Sequence, residues 1–306
     1  MKTNIMSGKQ VNRAFRVGLA CSFAFGFAAG QMAFGTPPLG DPLVPLGDAS
    51  GFSLLVTNGS INSSNSAFQN GDIGLAAAGF TYAQSGGGQS NLQQPTDALV
   101  NTGSTVGNIP PVVTVIQNSS TNAFLAQAVT DATNESNTLA ALTPTVPALG
   151  NVNGAETVTL SSGKNVVSVG NINLNQAALT LSAPAGATII VNVTGSITLN
   201  GGNPGNGLRL AGGVTPNNVF FNIIGGGTVT TTGVGAAEDI QGSILNLQGD
   251  VGLHPGEVVG QIIATKFSSS SGALISPVPV PEPSAWVMIL GGLGLLRCLQ
   301  RVRRVL

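Results

Sequence analysis

The stretch TVTLSSGKNVVSVGNINLNQAALTLSAPAGATIIVNVTGSITLN, residues 157–200, decides the fold. It breaks into short runs, TVTL, NVVSV, INLN, ALTLSA, TIIVNV and SITLN, separated by residues such as Gly and Asn that accept tight corners. Alternation such as Ile197/Leu199 predicts strands with one buried face. The same texture continues through LRLAGG, NVFFNIIGG, TVTTT, SILNLQG and QIIATKF, where Val219, Phe221 and Ile223 alternate again.

Earlier in the chain, FSLLVT from Phe52 and QNGDIGL around Asp72 read the same way. The interval Ala83 to Asn108, with its SGGGQSN, reads as turns or an irregular insertion. One segment departs from the β pattern. In SSTNAFLAQAVTDATNESNTLAAL, residues 119–142, Phe124, Ala128, Ala132, Leu139 and Leu142 recur at helical spacing, with Leu125 and Val129 alongside. Ser119 or Ser120 offers a cap and Pro144 follows, so a single helix is expected over about 121–142.

Two architectures accommodate this pattern. In a β-sandwich, antiparallel strands would be joined by hairpins over a core usually richer in aromatics. In a parallel β-solenoid, short strands stack Val, Ile and Leu in a narrow interior. Aromatics are only 5 % of the chain and Gly contributes 43 residues, which favours the solenoid with one packed helix. No clean repeat length is visible.

Charge is sparse and segregated. Lys2, Lys9, Arg13 and Arg16 lie at one end, and Arg297, Arg301, Arg303 and Arg304 at the other. Between residues 36 and 276 only Lys164, Arg209 and Lys266 stand against eleven acids, a net charge of −8. Nothing there could neutralise a phosphate backbone, so nucleic-acid binding is excluded. Both cysteines, Cys21 and Cys298, fall in the terminal segments, leaving the body without a disulfide or a thiolate metal site.

The ends read as addresses. Residues 1–35 combine a basic start, an apolar run from Val17 to Ala29 and the small-residue patterns Ala28–Gly30 and Ala33–Gly35, the outline of a secretory signal peptide. A linker, PPLGDPLVP, fills most of 36–45, and the β-rich body is expected over 46–276. From residue 277 the order is a proline motif, an apolar run of twelve residues from Ala285 to Leu296, and arginines. Spanning a bilayer takes roughly twenty residues, so this run is a marginal transmembrane helix.

That order resembles the PEP-CTERM sorting signal of Gram-negative bacteria, on Val280, Pro281, Glu282, Pro283 and Ser284, then Trp286, then the basic cluster Arg297, Arg301, Arg303 and Arg304. The tail departs from the pattern in having Arg297 within it and in ending on Val305–Leu306. The resemblance implies export, recognition by an exosortase, transient anchoring in the bacterial inner membrane, and a place at the cell surface or in an exopolysaccharide or biofilm matrix. The body offers a second likeness. LGDASGFSLLVTNGSI (46–61), the Ala-rich helix, NVFFNIIGGGTV (218–229) and IQGSILNLQGDVGLHPGEVVGQIIATKF (240–267) resemble the choice-of-anchor A family and are similar to ice-binding-like adhesive domains. This implies one helix lying along a triangular β-helix.

Catalytic chemistry finds little material. His254, in GLHPGE, is the single histidine and reads as a turn residue; a His/Cys zinc site cannot be assembled. No G-x-S-x-G elbow or P-loop occurs. Glu238–Asp239 is the one adjacent acidic pair, but glycoside hydrolysis needs carboxylates about 5–10 Å apart in space, which adjacency does not supply. Asp72 and Asp250 sit in glycine turns that could offer calcium their carbonyls, and GGNPGNGL at Gly201 resembles a calcium repeat only remotely; turn structure explains all three. Thr157/Thr159, Thr194/Thr198 and Thr228 to Thr232 could form ranks that order water, although Thr is also a common outward strand residue.

The expectation is therefore a non-enzymatic, exported surface or matrix protein without cofactor or metal. It would offer long polar faces to exopolysaccharide or neighbouring surfaces. An ice-binding or adhesive solenoid and a polysaccharide-active enzyme are the alternatives.

Overall fold

The computed structural model describes residues 45–85, 97–107, 113–201, 205–233, 240–270 and 272–277. All named strand pairs are parallel, so the body is a solenoid and the sandwich alternative falls. A 3-10 turn, Gly47–Gly51, leads into β1 (Phe52–Val56), β2 (Ile61–Ser64) and β3 (Ala67–Phe68), one strand on each of three faces. The chain then climbs through β4 (Asp72–Leu75), β5 (Thr81–Ser85), β6 (Ala98–Val100), β7 (Thr105–Val106) and β8 (Val115–Ile116). The interval read as an irregular insertion thus contributes β6 and β7, each hydrogen-bonded into the stack.

Helix α1 (Ser119–Ala140) follows and returns the chain to the far end. From there it winds upward again through β9 (Glu156–Thr159), β10 (Lys164–Val169), β11 (Ile172–Asn175), β12 (Ala178–Ser182), β13 (Thr188–Val193), β14 (Ile197–Asn200), β15 (Gly207–Ala211), β16 (Val219–Ile223) and β17 (Val229–Thr232). The last strands are β18 (Ile240–Gln241), β19 (Ser243–His254), β20 (Glu257–Val259), β21 (Ile262–Ser269) and β22 (Leu274–Ile275). Both β19 and β21 run across a corner and serve two faces.

The stacking order shows where the chain closes. On the face under the helix the order is β10, β13, β16, β19, β21, β1, β4, β6, β8. The first strand therefore pairs with the last full coil, and both ends of the described chain lie in the middle of the stack. At the start of the second series, residues 145–152 cover the outer edge: Thr145, Leu149 and Val152 donate their N–H groups to Val166, Ser168 and Asn171. That protects an edge that would otherwise template further pairing.

Inward side chains stack rank upon rank. Ile172, Ile197, Val229, Val251, Phe267, Ile61 and Tyr82 are successive register partners along one interior row, all essentially inaccessible. The expectation that a narrow interior excludes aromatics does not hold. Phe68, Phe221 and Phe267 are fully buried within it, Phe68 and Phe267 meeting edge-on at 5.9 Å. The interior takes such rings where small neighbours yield space, as where a Cβ on Gly242 would come within 2.9 Å of the Phe221 ring. A few aromatics dispersed along the axis suffice.

Helix α1, together with Leu46 and Ala49, packs along one face. Its buried positions Leu125, Ala128, Ala132 and Leu139 recur at three- and four-residue spacing and pack on Leu55, Val166, Ile190, Phe220, Leu245 and Ile263. Its cap is Asn118, one residue before the expected serines: Oδ1 accepts from both N and Oγ1 of Thr121, at 2.8 and 3.1 Å. Buried amides then lock the helix in register. Asn222 Nδ2 donates to the Ser136 carbonyl and to Asn192 Oδ1, Ser136 Oγ donates to Asn222 Oδ1, and Asn192 Nδ2 donates to the Leu139 carbonyl.

Candidate functional site

Of the three faces, one packs against the helix. The third, built from β9, β12, β15, β18, β20, β22 and β3, has short strands and a mixed exterior that includes Arg209, Gln241 and Val259. The remaining face is the long one. It comprises β11, β14, β17, the second half of β19, the second half of β21, β2, β5 and β7. With parallel strands about 4.8 Å apart, eight strands extend over about 34 Å.

Alternation on this face sends every second side chain outward, and register aligns them in ranks. The central rank runs Asn173, Thr198, Thr230, Gly252, Ser268, Asn62, Ala83. The next rank runs Asn175, Asn200, Thr232, His254, followed by Ser270, Ser64 and Ser85. All are small, uncharged or weakly basic, and partly or fully exposed. Asp250 and Lys266, register partners at the margin, contribute one charge of each sign.

Side-chain hydrogen bonds hold these ranks in place. Thr232 Oγ1 donates to Asn200 Oδ1 on the adjacent strand, and beside the two ranks the Thr81 and Thr105 hydroxyls of β5 and β7 lie 2.9 Å apart. His254 Nδ1 is 2.9 Å from Ser270 Oγ and its Nε2 is 3.3 Å from Ser268 Oγ. The ring leans over Gly252, where an added Cβ would stand 3.1 Å from Nε2. Between Ser268 and Ala83 the surface dips into a shallow depression of about 320 Å³ lined by Asn62, Ser63, Ser64, Ala83, Ser85, Ser268 and Ser269. A surface whose polar groups are fixed before contact gives up little rotamer freedom on binding.

The sequence readings sort accordingly. Thr198, Thr230 and Thr232 do join in ranks, whereas Thr157 and Thr159 lie on the third face and Thr194 lies in the turn between β13 and β14. Thr231 points inward, donating to the Pro255 carbonyl at 2.6 Å. His254 is a strand residue at the end of β19 and part of the face, not a turn residue. The asparagines and serines were missed. Their signal is the motif apolar–polar–apolar–polar at the same place in each coil, as in INLN, ITLN and VGLH, with INSS and FSSS as looser versions.

Asp72 and Asp250 are separated, Asp72 lying at the corner beside Asp97. Burial first, then the Asp97 charge, pushes the Asp72 carboxyl up to about 6. Among the described residues no three His, Cys, Asp or Glu side chains gather to hold a metal. Glu238, Asp239, the centre of GGNPGNGL, the signal segment, the motif Val280, Pro281, Glu282, Pro283, Ser284, and Arg297, Arg301, Arg303 and Arg304 all lie outside the described residues. No helix among the described residues is long and apolar enough to cross a membrane.

Solved structures share this architecture. An ice-binding protein from an Arctic yeast superposes with a TM-score of 0.54 at 24 % identity, over 78 % of this chain and 96 % of that one. One from the Antarctic ascomycete Antarctomyces psychrotrophicus gives 0.50 at 18 % identity, over 80 % of this chain and all of that one. Another, from an Antarctic bacterium of the Flavobacteriaceae, gives 0.52 at 18 % identity, over 78 % of this chain and 48 % of that one. At these identities the likeness establishes the fold. No protein of curated function matches the sequence. The model of the ice-binding-like adhesive domain matches residues 26–275, and on that match this chain belongs to the family of ice-binding-like adhesive domains.

Proposed function

We propose that the protein is an exported, non-enzymatic adhesive solenoid whose polar face binds an extended, ordered surface of hydroxyl groups, ice being the surface that its geometry fits best. The observation that carries this reading is the pair of aligned ranks, mostly Asn, Thr and Ser, across seven of the eight strands. Neighbouring ranks on one strand are about 6.8 Å apart and neighbouring strands about 4.8 Å, a two-dimensional grid of donors and acceptors on the scale of an ice lattice plane. Family membership and the ice-binding proteins of the same fold support it.

Adsorption to ice tests it directly. Fluorescently labelled full-length protein is expected to be enriched on a growing single ice crystal and to shape its edges. Free washing of the label from the crystal, with no thermal hysteresis at high protein concentration, would overturn the ice reading. A second reading, adhesion to exopolysaccharide, is favoured by the depression around Asn62, Ser64 and Ser85, which suits hydroxyl-bearing rings. Retention on immobilised polysaccharide, with ice adsorption absent, would select it.

The terminal segments supply the localisation in this proposal: export through residues 1–35, then recognition of Val280–Ser284 by an exosortase while the apolar run and its arginines hold the chain at the inner membrane. Intact-mass analysis of protein recovered from the native cell surface reads both processing events. Full-length protein with both ends intact in the cytosol would exclude them.

A further inference from the structure

The C-terminal end of the described chain leaves at one corner of the solenoid, and the N-terminal end lies beside that corner against helix α1, where the Asp48 N–H donates to Asp131 Oδ2. At the C-terminal end, the Pro277 carbonyl accepts a hydrogen bond from Asn70 Nδ2 at 2.9 Å. Asn70 lies between β3 and β4, in the turn from the third face to the helix face. At the N-terminal end, the Ala49 carbonyl accepts from the Gln261 side chain, and Gln261 lies between β20 and β21 in the same turn of a neighbouring coil. Leu46, just before, is buried against the helix cluster.

In a three-sided body, the corner between two faces is opposite the third side. The corner shared by the helix face and the third face is therefore opposite the polar face. Its position along the stack matters equally: β21 and β1 are fifth and sixth in the order of nine strands on the helix face. An attachment there holds the solenoid side-on, not standing on one end.

Resting on the reading of the polar face as the contact surface, we infer that the fold is built for presentation: a protein held through either end turns the whole polar face away from its holder. The partner is then a hydroxyl-bearing surface outside the structure that carries the protein, not the carrier itself. The chain beyond Pro277 continues into the apolar run Ala285–Leu296, followed by Cys298. It therefore supplies both a segment suited to holding and a thiol with which to test the geometry.

The test uses full-length protein with Cys21→Ser, coupled to maleimide beads through Cys298. Control beads carry the Cys21→Ser/Cys298→Ser/Thr230→Cys protein, fixed through the polar face. Two lysines report orientation without any ligand, because Lys266 lies on the polar face and Lys164 begins β10, just after the turn out of the third face. Acylation by a bulky succinimidyl ester is followed at each lysine by peptide mass spectrometry. On Cys298 beads, Lys266 is expected to react as in free protein, and ice or polysaccharide binding to match that of free protein. On Thr230→Cys beads, Lys266 labelling and binding are both expected to fall by roughly tenfold, since a fixed geometry can forbid engagement outright.

Shielding of Lys266 on Cys298 beads, to the extent seen on the control beads, would overturn the inference. So would loss of binding on Cys298 beads while free protein binds. If free protein binds neither ice nor polysaccharide, the contact reading fails separately, and lysine labelling still decides the orientation.

Discussion

Leu54 and Ile262 are register partners in a parallel ladder and both are wholly inaccessible, although one belongs to the first strand of the body and the other to its last full coil. They seal two arms of one solenoid, the arm wound before helix α1 and the arm wound after it. Truncating Leu54 leaves a cavity at that seam. Leu54→Ala is expected to cost about 3 kcal/mol, measured by chemical denaturation. A loss below about 1 kcal/mol would show that the seam collapses onto neighbouring side chains and is not close-packed.

The amide relay beneath the helix gives a second expectation. Asn222→Ala removes two donated bonds and one accepted bond at a fully buried position, and strands Asn192 Oδ1 and the Ser136 hydroxyl. Unsatisfied buried polar groups cost about 1–3 kcal/mol each. Hydrogen exchange should quicken along Glu135–Ala140 more than in the strands. Uniform exchange across the molecule would argue that the relay does not specifically fix the helix.

Acidity should stabilise this protein through Asp72. Its carboxyl is raised from an ordinary 3.8 to about 6, by burial and then by the Asp97 charge. Between those values the folded state binds more protons than the unfolded one, so stability is expected to fall as pH rises from about 4 to about 6. Asp72→Asn should flatten that dependence and add about 1–3 kcal/mol at neutral pH. An unchanged pH profile in the variant would assign the slope elsewhere.

On the polar face, one substitution should silence contact without touching stability. Thr230 lies in the central rank between Thr198 and Gly252, and a lysine there puts a hydrated charge and a long stem across the grid. Thr230→Lys is expected to abolish ice or polysaccharide adsorption while altering stability by no more than about 0.5 kcal/mol. Thr180→Lys, on the third face, should adsorb like the parent. Equal loss in both would mean that the third face also makes contact.

Local physics was readable from the residues. Alternation at Ile197/Leu199 and Val219/Phe221/Ile223 placed strands and their buried faces correctly, because period-two patterning acts within a single strand. The helix was readable too, displaced by two residues because Asn118 satisfies the first turn before Ser119 or Ser120 can. The missing repeat length has a physical cause. Lys164 pairs with Thr188, Ile189 with Val219, Phe220 with Ser243 and Ile244 with Ile262, so successive coils take 24, 30, 23 and 18 residues. The corners absorb the variation, and the strands stay in register despite it.

What no local pattern carries is the order of stacking. Nothing near Phe52 says that its strand will lie between β21 and β4, because that pairing is decided by segments about two hundred residues apart competing for one edge. The candidate site was half visible for the same reason. Thr198, Thr230 and Thr232 stood out by residue type, while Asn62, Ser268 and Asn173 become a rank only when three distant coils are laid side by side.

The mid-stack exit also has a mechanical consequence. A pull applied through Pro277 enters the body near the middle of its length and directly behind the contact ranks. If that face adheres as proposed, tension spreads toward both of its ends together and the ranks resist as a group. A body gripped at one extremity would instead peel away coil by coil, each rank failing alone. Placing the handle behind the centre turns many weak hydrogen bonds into one joint that must break all at once.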